Sequence, residues 1–375
     1  MRILVVSPVP SHPQDQGNSS RIFTLCRSLQ AQGHLVHFLY YTLEGLCQPQ
    51  AEAMARQWDA FHALPCTAGR RASPGPQGYG LDDWYHPELG HCAAALHRHW
   101  QFDAVLVNYV WMSAVLDAVP PGPLKLIDTH DVFGDRQAVF AAAGLPPAWF
   151  FTSRDEERRG LCRADVVLAI QDEEARHFTR ELQGQRVRVQ AVGHLAAPRF
   201  LPPRTGGGPL RVGYLASGNP LNVQALGLFM AACLARPEAM AAFETQVAGA
   251  VGTRLAPAPG FRGRWLGVVD DLDEFYAGID VAVNPMPAGT GLKIKTLEAL
   301  AQGRPVVGTA VAWVGLDDVP GALMAAPDHL PERLAALAEP GALAEAGTAC
   351  RSLFLRYHAA QWRALESLLP PTATR

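Results

Sequence analysis

Most of the side chains that could do chemistry stand in one stretch, IDVAVNPMPAGTGLKIKTLEALAQGRPVVGT, residues 279–309. An apolar run ends at Asn284-Pro285, a loop carries Gly289, Thr290 and Gly291, and helical sequence begins at once with Leu292, Lys293, Ile294 and Lys295. Free amides at a helix start, with the positive end of the helix dipole, attract phosphate, and glycines let it approach the backbone. Of the chain's 32 basic residues only Lys125, Lys293 and Lys295 are lysines. A compact ammonium in an arginine-rich chain suits neutralisation of a phosphate. Glu298, one turn beyond Lys295, is placed to accept from the vicinal hydroxyls of a ribose. A plainer reading makes Thr290 an N-cap and Lys295 with Glu298 an i,i+3 pair.

A second constellation lies in LIDTHD, residues 126–131. His130 follows an apolar strand and precedes a loop, where a side chain can face a ligand crevice. Asp128 and Asp131 flank it, and either could orient the ring or act as a base; Asp128 could equally cap the next turn. Gly17, Asn18 and Arg21 follow the first apolar run. They are candidate diphosphate or acceptor contacts, or simply a turn before a helix capped by Ser19 or Asn18. Arg21 would point either into the crevice or into solvent. Histidines 86, 91, 97 and 99 do not place three rings on one helical face, so a surface helix is expected there rather than a metal site. Neither a G-x-S-x-G elbow nor a P-loop occurs, and DDLD (270–273) reads as the charge complement of a helix start.

These residues need a framework of strands. The first 40 residues read strand, loop, helix, strand, with Gly33 as a left-handed helix end. Apolar runs at 102–109, 124–131 and 164–171 are further buried strands. Residues 65–80 form a long Pro- and Gly-containing loop with Arg70 and Arg71, more often a functional or mobile segment than a packed one. Between Pro198 and Pro209, seven of twelve residues are Pro or Gly, the strongest linker signal in the chain. A second series follows: strands in LRVGYLAS, FETQVAGAV, FRGRWLGVV, IDVAVNP and PVVGT, with helices near 220–235, 271–277 and 291–302. The expected division is a doubly wound α/β domain over 1–197, a linker over 198–209, a second such domain over 210–347 and a packing helix over 348–375. That helix runs over about 344–368, with Leu353, Leu355, Trp362 and Leu365 facing inward. Two such domains bind ligands at the carboxyl ends of their strands, so the active site is expected between them.

With 375 residues and 49% hydrophobic composition the chain can fill two cores. A net charge of −3 offers no field for a nucleic acid. Seven scattered cysteines, none in C-x-x-C spacing, fit a reducing cytoplasm. The apolar opening is shorter than a signal peptide, and no later apolar run is long enough to span a bilayer. A cytoplasmic protein is expected, with the inner membrane surface open as a place of work although no basic cluster supports docking there.

The segment ending LEALAQGRPVV (297–307) resembles the donor-binding segment of the retaining glycosyltransferases of family 4, which have the GT-B fold. The resemblance extends over most of the chain, through VSPVPSHPQDQG, LIDTHDVFGDR, RADVVLAIQDEEARHF, VGYLASGNPLNVQAL and WLGVVDDLDEFYAGIDVAV. It implies two Rossmann-like domains facing across a cleft. The activity it implies is transfer of a sugar from a nucleoside-diphosphate sugar to an acceptor hydroxyl with retention, without a required metal or other cofactor. By the same resemblance Glu298 meets the donor ribose, and Gly289, Thr290, Gly291, Leu292, Lys293 and Lys295 the sugar or diphosphate. His130, with Asp131 beside it, serves the transfer. Two departures stand out. Eight positions before Glu298 the family carries another glutamate, and here the residue is Thr290. After the first strand of the second domain the family carries an Arg and a Lys, and here the loop has Asn219 and Asn222 without a cation. Lys293 is the first choice to replace them, ahead of Lys295 and Arg21. Rival expectations are an epimerase of the same fold and an inactive nucleotide-sugar-binding partner subunit.

Overall fold

The computed structural model describes residues 1–66, 74–75, 78–142, 144, 146, 149–204, 208–269, 271–289 and 291–371. The chain divides into two compact units, one of Met1–Gln14, Asn18–Leu195 and Gln361–Arg375, the other of Asp15–Gly17 and Ala196–Ala360.

The first unit is built on a parallel sheet of β1 (Arg2–Ser7), β2 (Leu35–Tyr41), β3 (Ala60–Leu64), β4 (Ala104–Asn108), β5 (Leu124–Asp128), β6 (Val166–Ala169) and β7 (Arg188–Ala191). Their order is β3-β2-β1-β4-β5-β6-β7, the doubly wound arrangement that reverses direction beside the first strand. Central strands covered on both faces read as unbroken apolar runs, and Ile3, Leu4, Val5 and Val6 are fully buried. The edge strands β3 and β7 were not legible in the sequence. They are mostly half-exposed, so no apolar run marks them.

Gly33 takes φ 83° after helix Gly17–Ala31, as its sequence requires. Helix Pro87–Trp100 carries the histidine-rich segment, but it does not keep all four rings at the surface. His97 lies on its buried face with Leu89 and Ala93, and only His86, as the N-cap, does helical work at the start.

In the second unit β8 (Leu210–Leu215), β9 (Phe243–Ala248), β10 (Gly263–Gly267), β11 (Val281–Asn284) and β12 (Val306–Gly308) form a parallel sheet ordered β10-β9-β8-β11-β12. Gly249, at φ 91° just past β9, allows a close approach of backbones: a Cβ there would stand 2.2 Å from the Ala216 carbonyl oxygen. The chain ends in helix Ala342–Leu368. Its buried stripe runs through Leu353, Phe354 and Leu365, while Leu355, expected inward, is 45% exposed. Next to one another on a helix, Phe354 and Leu355 point about 100° apart, and the larger ring took the core.

Candidate active site

In the second unit the chemistry gathers where β8 and β11 end. Asn284 closes β11 and donates from Nδ2 to Thr296 Oγ1 at 2.8 Å, while Thr296 Oγ1 donates to the Ala312 carbonyl at 2.9 Å. Thr309 Oγ1 donates to the Met286 carbonyl at 2.6 Å. The loop between β11 and the next helix is thereby pinned to its neighbours at both ends. Gly289 and Gly291 take φ 130° and 72°, conformations that side chains resist. Thr290 lies outside the described residues. The helix begins at Ile294 rather than at 291, because the left-handed Gly291 and the extended Lys293 cannot join it.

Lys293 therefore sits at the N-cap position, buried, with Nζ donating to the Gly291 carbonyl at 2.6 Å. Leu292 is buried beside it. Lys295, in the first turn, turns its Nζ to Asn222 Oδ1 at 2.6 Å and stands 5.2 Å over the Tyr214 ring. Burial and the nearby charge of Lys293 push its ammonium down to about 7. Asn219 is the N-cap of helix Pro220–Leu234, its Oδ1 accepting from Asn222 N at 2.9 Å, so its side chain is a structural cap. Glu298 lies on the same helix as Lys295, half-buried, and its charge adds to the burial that holds Tyr276 protonated.

In the first unit a polar cluster forms at the ends of β1, β4, β5 and β6. Arg21, only 1% exposed, grips Asp128 with Nε and Nη2 and also donates to the Val192 carbonyl at 2.9 Å. The sequence left Arg21 between crevice and solvent; the structure buries its side chain, and its charge answers a buried carboxylate. Asp128 in turn lies 3.4 Å from His130 Nε2. Asp131 does not orient the ring: it accepts from Val132 N at 2.9 Å and pairs with Arg136 at 3.1 Å.

His130 takes φ 63°, and its ring stacks on Tyr109, itself at φ 71°, with centroids 4.1 Å apart. Such angles are uncommon outside glycine and mark positions held by their surroundings. Asn108 donates from Nδ2 to the Val6 carbonyl at 3.1 Å, which leaves Oδ1 to accept from His130 Nε2 at 2.9 Å. That assignment puts the proton on Nε2 and leaves Nδ1 as the acceptor. Burial pushes the His130 imidazolium down to about 4, so the ring is neutral at physiological pH.

Around this cluster Glu157 accepts from the amides of Phe133 and Gly134 at 2.7 and 3.0 Å, which shapes the loop after His130. Asn18 accepts from Ser19 N, and Gly17 is the first residue of its helix. Among the described residues no group of three or more His, Cys, Asp or Glu side chains could hold a metal ion.

Residues 210–339 match the family profile described as glycosyl transferases group 1. The second unit carries a glycosyltransferase domain. Solved structures extend the likeness to the whole chain. Sucrose-phosphate synthase of Thermosynechococcus elongatus matches with a TM-score of 0.72 at 16% identity, over 98% of both chains. HepE of Anabaena in complex with UDP and glucose matches with a TM-score of 0.62 at 13% identity, over 98% of this chain and 99% of that one. An E. coli structure described as trehalose-6-phosphate bound with UDP-2-fluoro glucose matches with a TM-score of 0.65 at 12% identity, over 100% of both. At these identities the likeness is one of fold, and the fold is GT-B. No curated protein matches the chain.

Within the glycosyltransferase domain the structure brings Lys293, Lys295 and Asn222 together and leaves Asn219 as a cap. In the first unit it adds Asn108, Tyr109 and Glu157 to the predicted His130, and buries Glu174 within electrostatic reach of Asp131 and Arg21. Asn108 had a signal: it is the polar residue closing an otherwise apolar strand, AVLVN. Glu157 and Glu174 had none, since each reads as one more acid in a charged helix. Arg70 and Arg71 of the 65–80 loop lie outside the described residues. No helix among the described residues is long and apolar enough to cross a membrane.

Proposed function

We propose that the protein transfers a sugar from a nucleoside-diphosphate sugar to an acceptor hydroxyl with retention of anomeric configuration, in the making of a glycan, glycolipid or glycosylated small molecule. The observation that carries this reading is the pair of lysines at the loop and helix start after β11, inside the segment that matches the glycosyltransferase profile. The second unit binds the donor: Glu298 takes the ribose, and Gly289, Thr290, Gly291, Leu292, Lys293 and Lys295 face the diphosphate and sugar. The first unit binds the acceptor side, with His130 serving the transfer. Its neutral ring offers Nδ1 to a hydroxyl hydrogen, and Asp128 and Asn108 hold the ring in place.

In a retaining transfer on one face, the leaving diphosphate takes the acceptor's proton as the C1–O bond to phosphate breaks and the new glycosidic bond forms. Such a reaction calls for stabilisation of diphosphate charge more than for a protein base, and two lysines with backbone amides supply it without a metal ion. Uridine nucleotides come first among the candidates, since two of the structures of like fold hold UDP or a UDP-sugar.

The test is release of nucleoside diphosphate from a panel of UDP-, GDP-, ADP- and dTDP-sugars, with and without cell extract as a source of acceptor. Turnover with one nucleotide that rises with extract supports transfer. Interconversion of sugars without release would support an epimerase instead, and binding without either reaction an inactive partner subunit.

A further inference from the structure

The loop after β8, Ala216-Ser217-Gly218-Asn219, has no cation of its own, yet a cation reaches its far end. Lys295 donates to Asn222 Oδ1 at 2.6 Å. Asn222 can present that oxygen because its Nδ2 is held by the carbonyl and hydroxyl oxygens of Ser217, each at 3.1 Å. Among the described residues the amine also meets the Met286 thioether at 3.6 Å and the Tyr214 ring. An ammonium has three hydrogens to donate, and the Asn222 oxygen and the Met286 sulfur answer two of them.

We propose that Lys295 is a proton-coupled anchor for the donor's diphosphate, taking up a proton as the nucleotide sugar binds, so that donor affinity falls as pH rises above neutrality. This rests on the donor-site reading given above. The electrostatics of the site favour it. Burial disfavours a charge on Lys295, and the nearby charge of the buried Lys293 adds to that cost, so that the amine titrates near neutrality, at about 7. The titratable groups brought toward it by the surrounding elements are Tyr214 of β8, Tyr276 of helix Leu272–Ala277, Lys293 before its own helix and Glu298 one turn on. Both tyrosines are pushed up by burial and stay neutral. A diphosphate diester carries two negative charges throughout this pH range. Its arrival replaces repulsion with attraction and raises the proton affinity of the amine. No covalent bond changes; the proton comes from solvent, and one charge-assisted N–H···O bond forms.

The experiment is calorimetric titration of the full chain with UDP-glucose and GDP-mannose, whose diphosphates stay fully ionised and do not titrate near neutral pH. It is run at pH 6 and pH 8 in two buffers of different ionisation enthalpy. A free amine titrating near 7 predicts uptake of about 0.9 proton at pH 8 and about 0.1 at pH 6, with affinity about tenfold weaker at the higher pH. Lys295→Arg keeps its charge at both, so uptake should vanish and affinity should become independent of pH. Lys295→Gln should likewise show no uptake, with weaker binding at pH 6. Binding by the wild type without proton uptake at pH 8 overturns the proposal, as does uptake that survives in Lys295→Arg. If neither nucleotide sugar binds the wild type, the donor-site reading falls for these nucleotides and this inference falls with it.

Discussion

Arg21 and Asp128, 107 residues apart in sequence, meet in a two-pronged ion pair sealed from solvent, with Nη2–Oδ1 at 2.5 Å and Nε–Oδ2 at 2.9 Å. The pair fastens the first helix to the end of β5, from which His130 projects two residues on. Removing one partner strands a buried charge, so Arg21→Met should cost about 3–5 kcal/mol, whereas Arg21→Met with Asp128→Leu should cost less than either single change. Denaturant melts of the three variants check this. Equal stability of the single variant and the wild type would show that the pair is not structural.

His130→Ala should lower kcat by about 100-fold or more, the range of a positioned catalytic group, while nucleoside-diphosphate affinity stays near that of the wild type. The split follows from the placement of His130 in the first unit and the lysine pair in the second. A variant that binds diphosphate poorly but turns over normally at saturation would reverse the roles given to the two units.

Glu298→Gln should raise the donor KM more than tenfold without lowering Tm, if the carboxylate accepts from ribose hydroxyls. Lys293→Ala should weaken nucleoside diphosphate by about 1.5–3 kcal/mol through loss of one charge-assisted bond. A large drop in Tm for Glu298→Gln would make that residue a structural partner instead.

Stability should depend on pH from two directions. Burial raises Glu157 to about 7 and Glu174 to about 8, so each contributes stability that is fully present below about 4.5 and lost as pH rises through those values. Burial lowers His130 to about 4 and His194 to about 3, so their contribution is present above about 6.5 and lost as pH falls toward those values. Glu174→Gln should therefore gain on the wild type between pH 5 and pH 8, on the order of 1 kcal/mol per unit. A constant difference across that range would mean that Glu174 is charged in the folded protein.

Gly249→Ala should destabilise by several kcal/mol, since the new Cβ meets the Ala216 carbonyl and the φ of 91° is one that alanine resists. Gly321→Ala, with nothing within 4 Å, is the matched control and should leave Tm nearly unchanged.

Periodicity and apolar runs made the central strands legible, because the interiors of β1, β4 and β11 are unbroken apolar runs, with polar residues only at their ends. Edge strands β3 and β7 escaped for the converse reason. At the site, the glycines, the scarce lysines and His130 were readable as residue types at the ends of strands. Their partners were not: Arg21 reaches Asp128, and Lys295 reaches Asn222, 73 positions away, only once the sheets have formed. The start of the helix after β11 was misplaced by three residues because nothing in the letters GTGLK shows that Gly291 turns left-handed.

The shortage of lysine has a use in covalent labelling. The side-chain primary amines of the chain are those of Lys125, Lys293 and Lys295, and Lys125 donates to the carbonyls of Leu116 and Val119. Acylation requires an unprotonated nitrogen, and burial together with the nearby charge of Lys293 lowers the Lys295 ammonium to about 7. An amine-directed reagent used near pH 7 should therefore mark the 293–295 segment. Shielding of that one peptide by a nucleotide, read by mass, would report occupancy of the second unit without any knowledge of the acceptor.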